Sequence, residues 1–270
     1  MNNSLNSDSE KLIEIAITAA YNAGLEILKV YDTAFDVEHK DDKSPLTLAD
    51  KKAHEVIVEY LKQTQIPILS EEGRSIEYKE RSLWKRFWMV DPLDGTKEFI
   101  KRNGEFTVNI ALIENGISVA GVIYVPVTGD LYFAISRKGA YKIEKFNNPI
   151  AGMDQWIASA KKLPIQAENK AYTVVGSRSH KSPETSAYME SLTEEHGELN
   201  IVSMGSSLKI CLVAEGVADI YPRFAPTMEW DTAAGHAIAK ESGKEIYDQK
   251  TGQTMVYNKE NLLNNWFIVR

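Results

Sequence analysis

The chain is short of cysteine, of long apolar runs and of positive charge, and each shortage excludes something. One cysteine in 270 residues, Cys211, rules out an internal disulfide and fits a reducing compartment. It sits in the apolar run Ile210-Cys211-Leu212-Val213-Ala214, which marks it as a core residue rather than a nucleophile. No uninterrupted apolar stretch approaches the roughly 20 residues that a membrane span needs, so no transmembrane segment is expected. Met1 to Ser9 are polar and lack the basic and apolar regions of a secretory signal. The expected location is the cytoplasm, with peripheral attachment to the cytoplasmic face of the inner membrane left open. Thirty-one Lys and Arg stand against 38 Asp and Glu, a formal net charge of −7. That balance argues against a long nucleic acid held on a broad basic surface. It leaves room for a small anionic ligand, which needs positive charge only locally, from metal ions and a few basic side chains in one cleft. Neither an internal repeat nor a low-complexity tail is present, and oligomeric state is not legible.

What the chain does have is enough length for two halves sharing a large core. Hydrophobic residues make up 43% and charged residues 26%, ordinary for a globular protein. Leu12, Ala16, Ala19, Ala20, Ala23, Ile27 and Tyr31 recur at helical spacing and predict an opening amphipathic helix. A second helix is expected after Asp50, with Ala53, Val56, Ile57, Tyr60 and Leu61 on one face. Two short apolar segments follow, Ile66 to Leu69 and Arg86 to Val90, each ending directly at acidic residues. From Phe106 to Phe146, runs rich in Val, Ile, Tyr and Phe are separated by turn sequences such as Glu114-Asn115-Gly116, which reads as an antiparallel meander. The weakly patterned stretch from Asn147 to Glu168 reads as a crossing. Beyond it, short strands such as Tyr172 to Val175 alternate with helices near 183–196, 206–215 and 231–242. The expected division is an α+β half over 1–150 and an α/β half over 151–270.

The strongest chemical signal is Asp91-Pro92-Leu93-Asp94-Gly95-Thr96. Two carboxylates three apart at a strand end can converge on one point, because Pro92 fixes its own φ and Gly95 permits a sharp turn. Thr96 then opens a short helix whose free N–H groups favour an anion. Carboxylates facing a phosphate would repel it unless cations lie between, so the arrangement calls for metal. A lone Asp-x-x-Asp is more often an ordinary turn. Three further acidic sites shift that balance: Glu71-Glu72 after an apolar segment, Asp231 as an N-cap before Thr232, and Asp50 near a helix start, where it too could be a cap. Acidic residues at the ends of four separate elements are what a multi-metal site requires.

Glu71-Glu72, then Asp91-Pro92-Leu93-Asp94-Gly95-Thr96, then Trp230-Asp231-Thr232-Ala233-Ala234-Gly235 resemble the lithium-sensitive inositol monophosphatase superfamily. The likeness runs from about residue 10 to the C-terminus. Thr96-Lys97-Glu98-Phe99-Ile100 and Asn103-Gly104-Glu105-Phe106-Thr107 are similar to its 3′(2′),5′-bisphosphate nucleotidase branch. The resemblance implies an α/β fold, the layered α-β-α-β-α sandwich of the inositol monophosphatase and fructose-1,6-bisphosphatase type. It implies two Mg²⁺ ions, one held by Glu71, Asp91 and the carbonyl of Leu93, the other by Asp91, Asp94 and Asp231. Asp50 and Thr96 would orient and activate a water, with or without a third, weaker ion. An all-oxygen ligand set without His or Cys independently suits a hard cation.

The implied substrate is a small bisphosphorylated nucleotide, 3′-phosphoadenosine 5′-phosphate or its sulfonated relative, cleaved to clear a by-product of sulfate assimilation. The phosphate to be cleaved would meet Glu71, Leu93, Asp94, Gly95, Thr96 and Asp231. The second phosphate would be held by His180, Ser206, Lys209 and Arg223, although Lys and Arg are usually solvated and His180 could simply end a loop. Inositol phosphates or fructose 1,6-bisphosphate, and a catalytically silent nucleotide-binding regulator, are the competing readings.

Overall fold

The structure, a computed structural model, describes residues 2–33, 45–165, 171–176 and 183–270. Helix α1 spans Asn2–Tyr31, and every apolar position predicted for its inner face from Leu12 to Tyr31 is buried. Helix α2 runs Pro45–Leu61 and buries Ala49, Asp50, Ala53, Ile57 and Leu61. It therefore begins at Pro45 rather than after Asp50, and Asp50 is an interior residue of the helix, not its cap. Pro45 explains the early start, since proline at a first helical position loses no hydrogen bond.

Against this pair lies a seven-stranded sheet: β1 (Ile68–Ser70), β2 (Arg86–Asp94), β3 (Thr107–Glu114), β4 (Ile117–Val125), β5 (Asp130–Ile135), β6 (Gly139–Ile143) and β7 (Lys161–Lys162), in sequence order. β1 pairs parallel with β2 and the remaining neighbours are antiparallel, so the expected meander is present. Two short helices interrupt the run, α3 (Tyr78–Arg81) and α4 (Thr96–Ile100). The predicted crossing is more ordered than its sequence suggests, since it carries helix α5 (Met153–Ser159) as well as β7. Trp156 is buried there and its indole donates to the carbonyl of Asn148, so one aromatic anchor organises a weakly patterned stretch.

Both faces of the sheet are covered, and the period of two along each strand sorts the side chains. Trp88, Val90, Val108, Ile110, Leu112, Val122, Tyr124 and Phe133 pack with α1 and α2. Phe87, Met89, Ala111, Ile113, Ile123, Val125, Tyr132 and Ala134 pack on the opposite side, with Ile210, Cys211, Val213, Ala233 and Ile238. Cys211 is thus a core residue. The helices on this second side lie close: a Cβ placed on Gly121 of β4 would meet the backbone oxygen of Ala234 at 2.2 Å, so only glycine admits that approach.

The later elements are β8 (Thr173–Gly176), α6 (Pro183–His196), β9 (Asn200–Ser203), α7 (Leu208–Glu215), β10 (Tyr221–Arg223), α8 (Glu229–Glu241), β11 (Ile246–Asp248) and β12 (Phe267–Val269). Strands β8 and β9 pair parallel, and β10-β12-β11 form an antiparallel sheet. Helix α6 packs through Leu192, Tyr188 and Met189 on Val174 of β8, Ile268 of β12 and Ile220, which immediately precedes β10. The order is helices, sheet, helices, strands, helix: the layered α-β-α-β-α sandwich. Among the described residues no helix is long and apolar enough to cross a membrane.

Candidate active site

The acidic pair at the end of β2 is aimed by a bulge. In a regular strand, positions three apart face opposite sides. Asp91 continues the parity of Phe87 and Met89 toward α8, whereas Asp94 would continue that of Trp88 and Val90 toward α1 and α2. The register prevents this: Asp91 stands opposite Asn109 and Asp94 opposite Thr107, three steps on β2 against two on β3. The extra residue returns Asp94 to the side of Asp91. The backbone N–H of Leu93 donates to Asp91 Oδ1 at 3.1 Å, closing a turn inside the bulge. Gly95 follows with φ +101°, and a side chain there would press on Glu105 and Phe106. Thr96 stands exposed at the start of α4.

The other acidic residues approach from separate elements. Asp231 is the third residue of α8, not the predicted N-cap; its Oδ2 accepts the N–H of Met228, the capping position, at 2.9 Å. Its second oxygen is not used in that bond. Asp50 enters from α2, only 7% exposed, and its Oδ1 is buried without a hydrogen-bond partner. Glu71 follows β1, and its backbone N–H donates to the carbonyl of Val90.

The electrostatics confirm that these groups share one neighbourhood. Burial, then the charges of Glu72 and Glu71, push Asp50 up to about 8. Burial, and next the Asp94 charge, push Asp231 up to about 8. Glu71 exposes much of its own surface, yet its carboxyl sits deep enough among neighbours that burial, Asp94 and Glu72 push it up to about 7. Trp230 is near enough to lower Glu71, although its indole N–H completes no hydrogen bond among the described residues. Asp91, 1% exposed, is raised by burial and then by Asp94, Glu71, Asp231 and Asp50 together. Asp94 is raised by burial against the lowering effect of Lys209 and of donors from Ser207 and Asn109.

Five carboxylates from four segments thus repel one another across one cleft, a standing cost that a divalent cation would remove. Among the described residues no three His, Cys, Asp or Glu side chains close on a single point as a finished coordination sphere. The all-oxygen donors, the unpartnered Oδ1 of Asp50 and the mutual elevation of the acids nevertheless fit a hard cation.

A cavity of about 230 Å³ adjoins the acids, lined by Asp94, Gly95, Thr96, Asp231, Ser206, Lys209 and Arg223 among others. These seven predicted residues are brought together. Glu71, Asp91 and Asp50 do not line this cavity; Asp91, Asp50 and Leu93 are buried, whereas Glu71 is exposed. His180 falls in 177–182, outside the described residues.

Lys209 departs from the usual solvated lysine: it is 7% exposed, and its Nζ donates to the backbone oxygens of Ser206 at 2.5 Å and Met204 at 3.4 Å. Burial lowers it to about 8, against the opposing pull of Asp94. Arg223 donates to the carbonyl of Pro226 at 3.1 Å, and its buried Nε has no partner. Ser206 adopts φ +43°, a left-handed conformation that a serine holds only under constraint. Sequence reasoning missed Ser207, Thr107 and Asn109, which bond around Asp94. Two polar residues two apart, Thr107 and Asn109, on one face of β3 ahead of its apolar run, were the available signal.

The fold, the bulged acidic pair and the converging carboxylates define the class. The chain belongs to the inositol monophosphatase family, whose pattern matches residues 8–267. Within it, the chain is 46% identical over 263 residues to the "3′(2′),5′-bisphosphate nucleotidase CysQ" of Salmonella typhimurium, covering 96% of this chain and 99% of that protein. It is 45% identical over 255 residues to the CysQ nucleotidase of Escherichia coli K12, covering 93% and 96% of the two chains. The crystal structure of CysQ from Bacteroides thetaiotaomicron superposes with a TM-score of 0.92 at 52% identity, over 97% of each chain.

Proposed function

We propose that this chain is a Mg²⁺-dependent 3′(2′),5′-bisphosphate nucleotidase that hydrolyses 3′-phosphoadenosine 5′-phosphate to AMP and phosphate. The observation that carries the reading is a cavity where two members of the carboxylate cluster, Asp94 and Asp231, face a buried lysine and a half-buried arginine. A monophosphate substrate has no use for the second set of charges, and a nucleotide with two phosphates needs both. High identity to nucleotidases of the CysQ type along nearly the whole chain supports the same choice.

Glu71, Asp91, the Leu93 carbonyl, Asp94 and Asp231 would hold the metal. Bound there, Mg²⁺ would activate the attacking water and neutralise the charge of the leaving oxygen in an in-line displacement. The protein's own part is positioning, since phosphoryl transfer asks for little covalent chemistry. Asp50, buried and with an unsatisfied oxygen, accepts a proton from the water, and the exposed Thr96 hydroxyl orients that water. The bulge after Asp91 holds both β2 carboxylates on the reacting side. Lys209 and Arg223, with Ser206, hold the 5′-phosphate, which fixes the nucleotide with its 3′-phosphate at the acids.

A second cavity of about 270 Å³ shares Tyr221 and Arg223 with the first and is walled by Val174, Met189, Ile201 and Phe224. Its apolar walls beside a shared arginine suit a purine attached to the held phosphate. The division into an α+β half over 1–150 and an α/β half over 151–270 fits this scheme, with acids mainly from the first and phosphate-holding cations from the second.

Chromatography of the products tests the orientation. AMP and phosphate in equal amounts are expected. Release of adenosine 3′-phosphate would reverse the roles of the two sets of charges and overturn the reading.

A further inference from the structure

Asp94 is held by a buried hydrogen-bonded ring that the reaction scheme does not use. Ser207 donates its backbone N–H to Asp94 Oδ2 at 2.5 Å. Its hydroxyl lies 2.8 Å from Thr107 Oγ1 and 2.9 Å from Asn109 Oδ1, and Thr107 Oγ1 lies 3.0 Å from the same Oδ1. The Asn109 amide nitrogen faces Asp94 Oδ2 at 3.4 Å. All three side chains are inaccessible: Thr107 is 0%, Asn109 1% and Ser207 4% exposed.

Proton counting orders the ring. Two hydroxyls supply two protons for three contacts, and in every arrangement at least one of them donates to Asn109 Oδ1. That fixes the amide with its NH₂ toward Asp94. The reversed amide would set its oxygen against the carboxylate. Asp94 is thereby gripped from β3 and from the start of α7 at once.

The same segment carries Lys209, one of the two cations of the pocket. Gly205 N–H donates to Glu105 Oε2 at 2.8 Å, Ser206 between the two anchored residues is held at φ +43°, and its carbonyl accepts from Lys209. The ties to Glu105 and to the ring are what constrain Ser206 in that left-handed conformation.

We propose that Ser207, Thr107 and Asn109 are positioning residues that set the Asp94 carboxylate for metal and, through the strained Ser206, tie it to the loop holding the second phosphate. The inference rests on the proposed roles of Asp94 and of the Ser206–Lys209 segment. Breaking the ring frees a metal-binding carboxylate without removing it, so the effect belongs to metal affinity first and to nucleotide preference second. Outer partners of metal ligands typically change affinity or activity by about 10- to 100-fold.

The test compares the full-length protein with Ser207→Ala, Thr107→Val and the double variant. Mg²⁺ binding is measured by calorimetry without substrate, and kcat/KM is measured on 3′-phosphoadenosine 5′-phosphate and on inositol 1-phosphate. Each single variant should raise the Mg²⁺ Kd about 10-fold or more. The double should be little worse than either single, because one chain of hydrogen bonds is broken in each case. Thr107→Ser should restore binding, and the nucleotide should lose more kcat/KM than the inositol phosphate. If Ser207→Ala does not fold, Thr107→Val carries the same test with nearly unchanged volume. A lower melting temperature with a Mg²⁺ Kd within twofold of wild type makes the ring mere packing and overturns the proposal. Wild-type protein that binds no Mg²⁺ overturns the functional reading beneath it, whatever the variants do.

Discussion

Replacing Lys209 by methionine keeps most of the side-chain volume in a buried site and removes one charge. In the wild type, the ammonium bridges the Ser206 and Met204 carbonyls and faces Asp94. If it also binds the uncleaved phosphate, the variant loses one charge-assisted hydrogen bond, about 1.5–3 kcal/mol. At about 1.4 kcal/mol per decade, that is roughly a ten- to hundredfold fall in kcat/KM for the bisphosphorylated nucleotide. The Ser206 carbonyl also loses its donor, a loss of about 1 kcal/mol or some fivefold that every substrate would share. Inositol 1-phosphate should therefore fall about fivefold and the nucleotide at least about tenfold further. Because Lys209 is buried, the difference should persist between low and high salt, unlike that of a surface cation. Steady-state kinetics on both substrates at two ionic strengths measure it. Equal losses on the two substrates, or a difference that vanishes in salt, would refute the assignment of Lys209 to the second phosphate.

Asp94→Asn should abolish nearly all turnover yet fold, because an amide oxygen can still accept the Ser207 N–H while binding a divalent ion poorly; phosphate release and a melting curve check both halves. Asp50→Asn and Thr96→Ala should lower kcat by about 10²–10⁴-fold with little change in KM, as expected for groups acting on the water; a change in KM alone would move both to binding. Metal-free protein should lose stability as pH rises from about 4 to about 8. Asp50, Asp231 and Glu71 have folded pKa values of about 8, 8 and 7, above the unfolded range, so the native state holds protons that the unfolded chain has released. Melting temperatures in EDTA should fall across that window and recover with Mg²⁺, most at high pH. A flat profile would show that the acids do not share one uncompensated cleft.

The fold and the acidic motifs were legible because they rest on local signals. Apolar runs punctuated by turn sequences from Phe106 to Phe146 spelled out the meander, and helical spacing showed most of the buried face of α1, though not Ile13, Ile17 and Val30. Asp91 and Asp94 were readable as a pair, but the bulge that puts them on one side is a matter of register with β3, which a single strand does not reveal. Helix starts slipped at Asp50 and Asp231 for a related reason: an acidic residue near a helix start looks like a cap, whereas here one lies inside α2 and the other is third in α8. Lys209 was readable as a candidate for the second phosphate, but its burial was not, because burial of a lysine depends on long-range packing. The ring around Asp94 was hidden because it joins residues about a hundred positions apart.

The most direct measurement is phosphate release from 3′-phosphoadenosine 5′-phosphate and from inositol 1-phosphate by the purified protein, with Mg²⁺ and with EDTA. The account predicts release that EDTA abolishes and Mg²⁺ restores, with a kcat/KM at least about tenfold higher for the nucleotide, one charge-assisted contact's worth of discrimination. Release that survives EDTA, or a preference for the inositol phosphate, would contradict it.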